Sequence, residues 1–382
     1  MNKDTKLIDN YTGQWTGSSE SGLFVLVNIG QQGSKLTGRV SIYESTELTD
    51  SGIPHWTWSF LQGEVINQNT IEGSAGSPTV HNRLGGLLSD RDLETLKEQG
   101  NIEFPDETKF KGSRNGSYKL EIEWSSLYPS GQTRKEKIAL KKKRLGGSKV
   151  IHEEMDWPRF KQFALEQKDG LTYRGQARHW RLQTSFHRTG HADLIAYLDD
   201  KIPTVENHIN AYSDHVYDIK NDRSLGALLN LAQHHGYPTP LLDWTNSPYV
   251  AAFFAFQNKA SLKVDGSISI FIFDEPEWAK LSGRSAQLRV PNMIVRAVEL
   301  PGFGNARVLP QQAMTMYSNV DDIEYILQSN EEEPGQFLRA ISIPTSDREA
   351  AMRDLSLMGI TWGSMFPGLD GICKQLSSRH FG

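Results

Sequence analysis

A change of hydrophobic period at "LGGSK" (Leu145 to Lys149) restricts this chain more than any other feature. Before it, apolar residues recur at every second position. "GSYKLEIEW" (Gly116 to Trp124) puts Tyr118, Leu120, Ile122 and Trp124 on one face, with Lys119, Glu121 and Glu123 on the other. That alternation predicts a half-buried antiparallel strand. "GLFVLVNIG", "KLTGRVSIYE" and "HWTWSFLQGEVI" are further β-branched or aromatic runs, divided by Gly, Ser and Asn turn clusters. Strands at this spacing predict an antiparallel meander, as a barrel or a sandwich. "TRKEKIALKKKR" carries seven Lys or Arg against one Glu. It reads as a solvated edge strand whose lysines discourage pairing with other chains, with a phosphate-contacting strip as the alternative.

After "LGGSK" the spacing becomes helical. "MDWPRFKQFALEQ" offers Asp156 as an N-cap and turns Phe160, Phe163 and Leu165 inward. Short strands such as "LTYRGQ", "GSISIFIF" and "FLRAISIP" alternate with helices, so the class is α+β. The expected division is an antiparallel β domain over 1–147 and an α+β domain over 148–382. A net charge of -5 makes no global case for nucleic acid or an anionic membrane. One cysteine, Cys373, excludes an intramolecular disulfide and a cysteine-based zinc site. No stretch reaches the roughly 20 apolar residues of a membrane helix, and "MNKDTKLIDNYTG" lacks the apolar core of a signal peptide. A cytoplasmic protein without a membrane partner is expected.

Two stretches carry candidate chemistry. "LTYRGQARHWRLQTSFHR" holds Arg174 just inside a strand end, before a glycine that lets another backbone or a ligand approach. Arg174 is either paired with a buried carboxylate or kept to grip a phosphate or carboxylate bidentately. In "LGALLNLAQHHGYPTPLLDWTNSPYVAAFFAF" an amphipathic helix turns Leu225, Leu228, Leu229 and Ala232 inward, with Gly236 as its C-cap. Asp243 or Thr245 can cap the next helix, and Pro248 suits its first turn. Capping leaves His234 and His235 unexplained. A metal site is not expected, because adjacent histidines point in different directions on a helix and no third ligand has helical spacing. In "FPGLDG", Asp370 reads as a turn cap.

"YTGQWTGS…LTGRV" loosely resembles the opening of avidin-like and lipocalin-like barrels, with Trp15 as a barrel plug. Four motifs in order, "YRGQ…W.L…S..R", "LAQHHGYPTPLLDWTNSPYVAAFFA", "RVLPQQAMT" and "LMGITWGSMFPGLDGICKQL", resemble the FRG domain, named for its Phe/Tyr-Arg-Gly motif. This likeness spans about Asp156 to Leu376. More distantly, the motif order is similar to the ADP-ribosyltransferase fold, a split β core with an Arg on its first strand, a Ser or Thr before a helix and a late Glu. Arg174 and Thr245 match the first two positions. "RVLPQQAM" offers Gln311 and Gln312 where Glu is expected, so Asp243, Glu299 or Glu324 would have to supply the charge.

The resemblance implies a split-β, ADP-ribosyltransferase-like FRG domain with NAD as co-substrate and a protein or nucleic acid as acceptor, as a toxin or phage-defence effector. Arg174 would hold the pyrophosphate or ribose, His235 would position the ribose or acceptor, and Thr245 would order the site. Asp243 would stabilise positive charge or act as base, and Gln312 would contact the ribose. Tyr173, Gly175, Gln176, His234, Trp244 and Gln311 would complete the nucleotide site, and the β domain would recognise the target or a trigger. A non-catalytic nucleotide- or ligand-binding module that signals through the β domain is the alternative. A third is a nucleotide or nucleic-acid hydrolase with His235 and Asp243 as an acid–base pair.

Overall fold

The structure, a computed structural model, describes every residue except 1–10, 20, 45–54, 83–85, 100–102, 144–145, 284–286, 291, 304 and 382. The alternating half forms β1 (Gly13–Ser18), β2 (Phe24–Gln32), β3 (Lys35–Glu44), β4 (His55–Asn67), β5 (Thr70–Gly76), β6 (Thr79–Asn82), β7 (Glu107–Arg114), β8 (Lys119–Leu127) and β9 (Thr133–Lys141). These nine strands run β3-β2-β1-β9-β8-β7-β5-β4-β6, and β3 also pairs with β4. That extra pairing closes all but β6 into an antiparallel barrel, with β6 beside the first residues of β4. Inward positions obey the period of two: Val25, Val27 and Ile29 on β2 and Leu120 and Ile122 on β8 share one core. Trp15 lies wholly inside it as a plug. Two local readings need correction. β9 is not an edge strand, since it pairs with β8 along nine positions and meets β1 at Thr16↔Lys141. Tyr118 precedes β8 and is exposed. The helix Asp90–Gln99, which the strand reading passed over, interrupts the barrel sequence.

The second sheet contains β10 (His152–Glu154), β11 (Leu171–Gln176), β12 (Leu241–Thr245), β13 (Ser267–Asp274), β14 (Val295–Val298), β15 (Ala313–Ser318) and β16 (Leu338–Pro344). Its order is β10-β16-β13-β11-β12-β15-β14. β11 pairs with β13 at six positions and β12 with β15 at five, yet β11 and β12 meet only at Tyr173↔Thr245. The sheet therefore parts between them. On one face a single core runs across the parting, from Phe271 and Phe273 on β13 to Leu242 and Trp244 on β12. On the other face the cover divides. The Pro248–Phe256 and Arg348–Leu357 helices pack over β11, β13 and β16, while the Asp222–His234 helix packs over β12 and β15.

Local signals explain most of these elements. Asp156 accepts from Arg159 N at 2.8 Å and starts the Trp157–Leu165 helix. Phe160 is buried there, but Leu165 is 79% exposed, so the inward stripe ends a turn early. Leu225, Leu228, Leu229 and Ala232 are all buried, and Gly236 turns the chain at φ +85°. Ser247, not Asp243 or Thr245, caps the next helix, which has Pro248 in its first turn. Asp370 lies within the first turn of the Leu369–Phe381 helix rather than in a turn of its own. Among the described residues no helix is long and apolar enough to cross a membrane.

Candidate functional site

The parting of the sheet brings the candidate residues together. Beyond Tyr173↔Thr245, the Arg174 guanidinium reaches across the gap and Nη1 donates to the carbonyl of Asp243 at 2.5 Å. Its Nε is out of solvent and has no hydrogen-bond partner. Burial lowers the Arg174 pKa to about 10, which Asp243 opposes and Arg188 reinforces. The same two influences act on Arg188: burial lowers its pKa and Asp243 opposes the shift. The Asp243 carboxylate thus favours the charge on both arginines, and it has a hydrogen-bond partner of its own. Gln233 Nε2 donates to Asp243 Oδ1 at 2.5 Å, and the Thr239 hydroxyl donates to Gln233 Oε1. This chain fixes the amide orientation, because Oε1 accepts and Nε2 donates. The Asp243 side chain remains exposed, so the cleft opens to solvent.

The Asp222–His234 helix supplies the next group. Burial depresses the His234 pKa, and Asp243 pulls it back while Arg307 and His235 push it further down. Arg307 Nη1 also donates to the His234 carbonyl at 3.3 Å, at the C-terminal end of the helix, where a cation is favoured. His235 is the exposed C-cap residue. Of the two histidines, His234 is the one whose charge Asp243 favours.

Thr245 holds the floor. It is buried, its hydroxyl donates to the Gln311 carbonyl at 2.7 Å and accepts from Ser247 N at 3.1 Å. Gln311 is buried and its amide donates to the Met365 carbonyl at 2.8 Å, which spends it on structure. Gln312 is exposed, has φ +45°, and receives Asn246 N on its carbonyl at 3.0 Å. A non-glycine residue in that region stores strain, which clusters at ligand sites.

Four candidates lie elsewhere. Tyr173 is buried in the core below the Pro248–Phe256 helix, and Trp244 packs 5.6 Å from Phe273 on the opposite face of the sheet from that helix. Gly175 makes room, since a Cβ there would meet the Ala251 carbonyl oxygen at 1.8 Å. Gln176 Nε2 donates to the Trp180 carbonyl at 3.2 Å. Two of the three carboxylates considered for the missing charge are also removed. Glu324 is fully buried, accepts from Lys149 N and Leu182 N, and stands 3.5 Å from Arg181. Glu299 follows β14, which β15 separates from β12. Asp243 alone of the three is in the cleft.

Arg188, Gln233 and Arg307 had no assigned role from the sequence, although each lies inside a quoted motif: the end of "S..R", the middle of "LAQHHG" and the start of "RVLPQQAMT". Spacing alone could not show that Gln233 donates to Asp243 or that Arg307 reaches the end of the histidine helix. Among the described residues no group of three or more His, Cys, Asp and Glu is placed to hold a metal. The family model for the FRG domain matches residues 169–263, so this chain carries an FRG domain. No curated protein matches the chain.

Proposed function

We propose that the cleft binds a dinucleotide and that the FRG domain breaks the N-glycosidic bond of NAD to move an ADP-ribosyl group onto a protein or nucleic acid. The observation that carries this reading is the half-buried Arg174 guanidinium, whose Nε is out of solvent and unpartnered and whose Nη1 donates to a backbone carbonyl. A charge held in that state, with Arg188 beside it, suits a pyrophosphate that accepts several donors at once. The likeness of Arg174 and Thr245 to the ADP-ribosyltransferase pattern supports the same placement. In the reaction the C1′–N bond to nicotinamide breaks, its electron pair leaves with the neutral base, and an acceptor nucleophile forms the new bond to C1′. Asp243 steadies the positive charge at C1′ and takes the acceptor's proton, with Gln233 holding the carboxylate and His234 beside it. Gln312 faces the ribose. The barrel recognises the target or a trigger, consistent with a toxin or phage-defence effector.

A second reading, a nucleotide-binding module without turnover, is favoured by one observation. The late-motif position holds neutral Gln312, and Gln311 is already committed to Met365. One experiment separates the readings. The full chain is incubated with NAD and cell extract, and free nicotinamide and the intact masses of macromolecules are measured. Nicotinamide with a mass increase on an acceptor supports transfer. Nicotinamide without a mass increase supports hydrolysis, and intact NAD with no nicotinamide overturns transfer and leaves the module. Arg174→Lys, which keeps the charge but loses the planar fork, is expected to weaken NAD binding at least about tenfold.

A further inference from the structure

The barrel is packed at one end and hollow toward the other. Tyr11 and Trp15 fill the first end, where Trp15 Nε1 donates to the Tyr11 carbonyl at 2.8 Å. Farther along lies a cavity of about 150 Å³. Val40, Leu61, Ile122 and Leu140 line its apolar part, and Phe104, Trp124 and Tyr128 bring aromatic rings to it. Strand period then does something a purely structural barrel does not need. On β3 the inward series Val40, Ile42 continues to Glu44, and on β9 the inward series Leu140, Ile138 continues back to Glu136. Both carboxylates line the cavity. Apolar residues at these positions would have completed a packed core.

Glu136 Oε2 is out of solvent with no hydrogen-bond partner. Burial raises the Glu136 pKa most and Glu44 raises it further, while Arg134 and Ser21 lower it. Glu44 is also raised by burial, and His55 Nε2, 4.0 Å away, lowers it. Arg134 is exposed and lies over the Tyr128 ring, 4.5 Å from its centroid. The hollow thus holds two half-buried acids of like sign beside aromatic faces. A cation entering it would relieve their repulsion and supply the missing donor.

We propose that the barrel lumen binds a small organic amine, its ammonium group against Glu136 and Glu44 and its apolar body against Trp124 and Ile122. The volume limits the body to about one ring, since a cavity of this size lined by apolar residues accommodates benzene. The aromatic walls add cation–π attraction to the head group. This site belongs to the barrel and stands or falls independently of the cleft in the FRG domain.

The test is calorimetric titration of the full chain at pH 7.5 with benzylamine, benzyl alcohol and benzoate. Benzylamine is expected to bind at least about tenfold more tightly than the alcohol, a difference of about 1.4 kcal/mol, with benzoate weakest. Glu136→Gln should erase the preference for the amine, and its melting temperature should hold or rise because a buried unpartnered charge is removed. Glu44→Gln gives the same readout should the first variant fail to fold. Val40→Trp, which fills the cavity, should abolish binding of all three. Equal affinity for amine and alcohol would overturn the proposal. So would an amine preference that survives Glu136→Gln or Glu44→Gln, or benzylamine binding unchanged by Val40→Trp.

Discussion

Replacing Asp243 by Asn separates two roles that the side chain combines. Asn keeps an oxygen to accept from Gln233 Nε2, so stability should change by about 1 kcal/mol or less in thermal melts. It cannot take a proton or steady a cation, so nicotinamide release should fall roughly 100-fold or more. Wild-type release by Asp243→Asn would mean that Asp243 is not the group that steadies the cation or takes the proton. His187, one residue before Arg188, allows a second test at this scale. Burial drives its pKa from 6.5 down to about 3, and the Asn319 carbonyl opposes the shift only in part. Between those two values the unfolded chain binds more protons than the folded one, so stability rises with pH. The contribution of neutral His187 is complete above about pH 7. It is lost by up to about 1.4 kcal/mol per unit as pH falls from 6.5 toward 3. Denaturant unfolding at pH 7, 5.5 and 4.5 should therefore show a steeper acid loss in wild type than in His187→Asn. Parallel profiles would mean that His187 is not the group responsible.

Among the elements, the contact between β11 and the Pro248–Phe256 helix positions the cleft. Gly175 allows it, because a methyl there would sit 1.8 Å from the Ala251 carbonyl oxygen. The close atoms, from Ala251 and Ala255, are all backbone, so strand and helix must move apart. Gly175→Ala should cost about 3 kcal/mol or more, measured as a fall in the denaturation midpoint, and should weaken NAD binding because Arg174 is adjacent. An unchanged midpoint would show that the helix can shift freely. Element boundaries were well marked by Asp156, Pro248 and Gly236, whose conformational effects are local. The short strand β12 was harder to read. "LLDWT" looks like a cap before a helix, but its five residues pair with β15, and Ser247 caps the helix instead. Pairing with a segment some 70 residues later leaves no local trace.

Across the whole molecule, none of the four hydrophobic clusters mixes residues from the barrel with residues beyond Val150. Among the described residues, polar pairs join the two parts: Arg39 with Asp193 at 2.6 Å, Lys143 with Asp322 at 3.4 Å, and Gln14 Nε2 with the Asn319 carbonyl at 3.0 Å. A fragment of residues 148–382 should therefore fold alone, with a near-UV circular dichroism spectrum showing fixed aromatic packing. A molten product would mean that these polar contacts are needed for the fold. The sequence by itself determined the two periods, the change between them, five of the barrel's strands and the FRG motifs, because alternation, capping and turn chemistry act over a few residues. It also singled out Arg174, Asp243 and the histidine pair. Only the tertiary structure decided that β9 closes a barrel instead of forming an edge, and that the second sheet parts beside Arg174. Tertiary packing likewise set Gln233 against Asp243 and carried Trp244 and Glu324 away. Those outcomes depend on which distant strand supplies the next hydrogen-bonding partner, and on which face a side chain takes once that pairing is made.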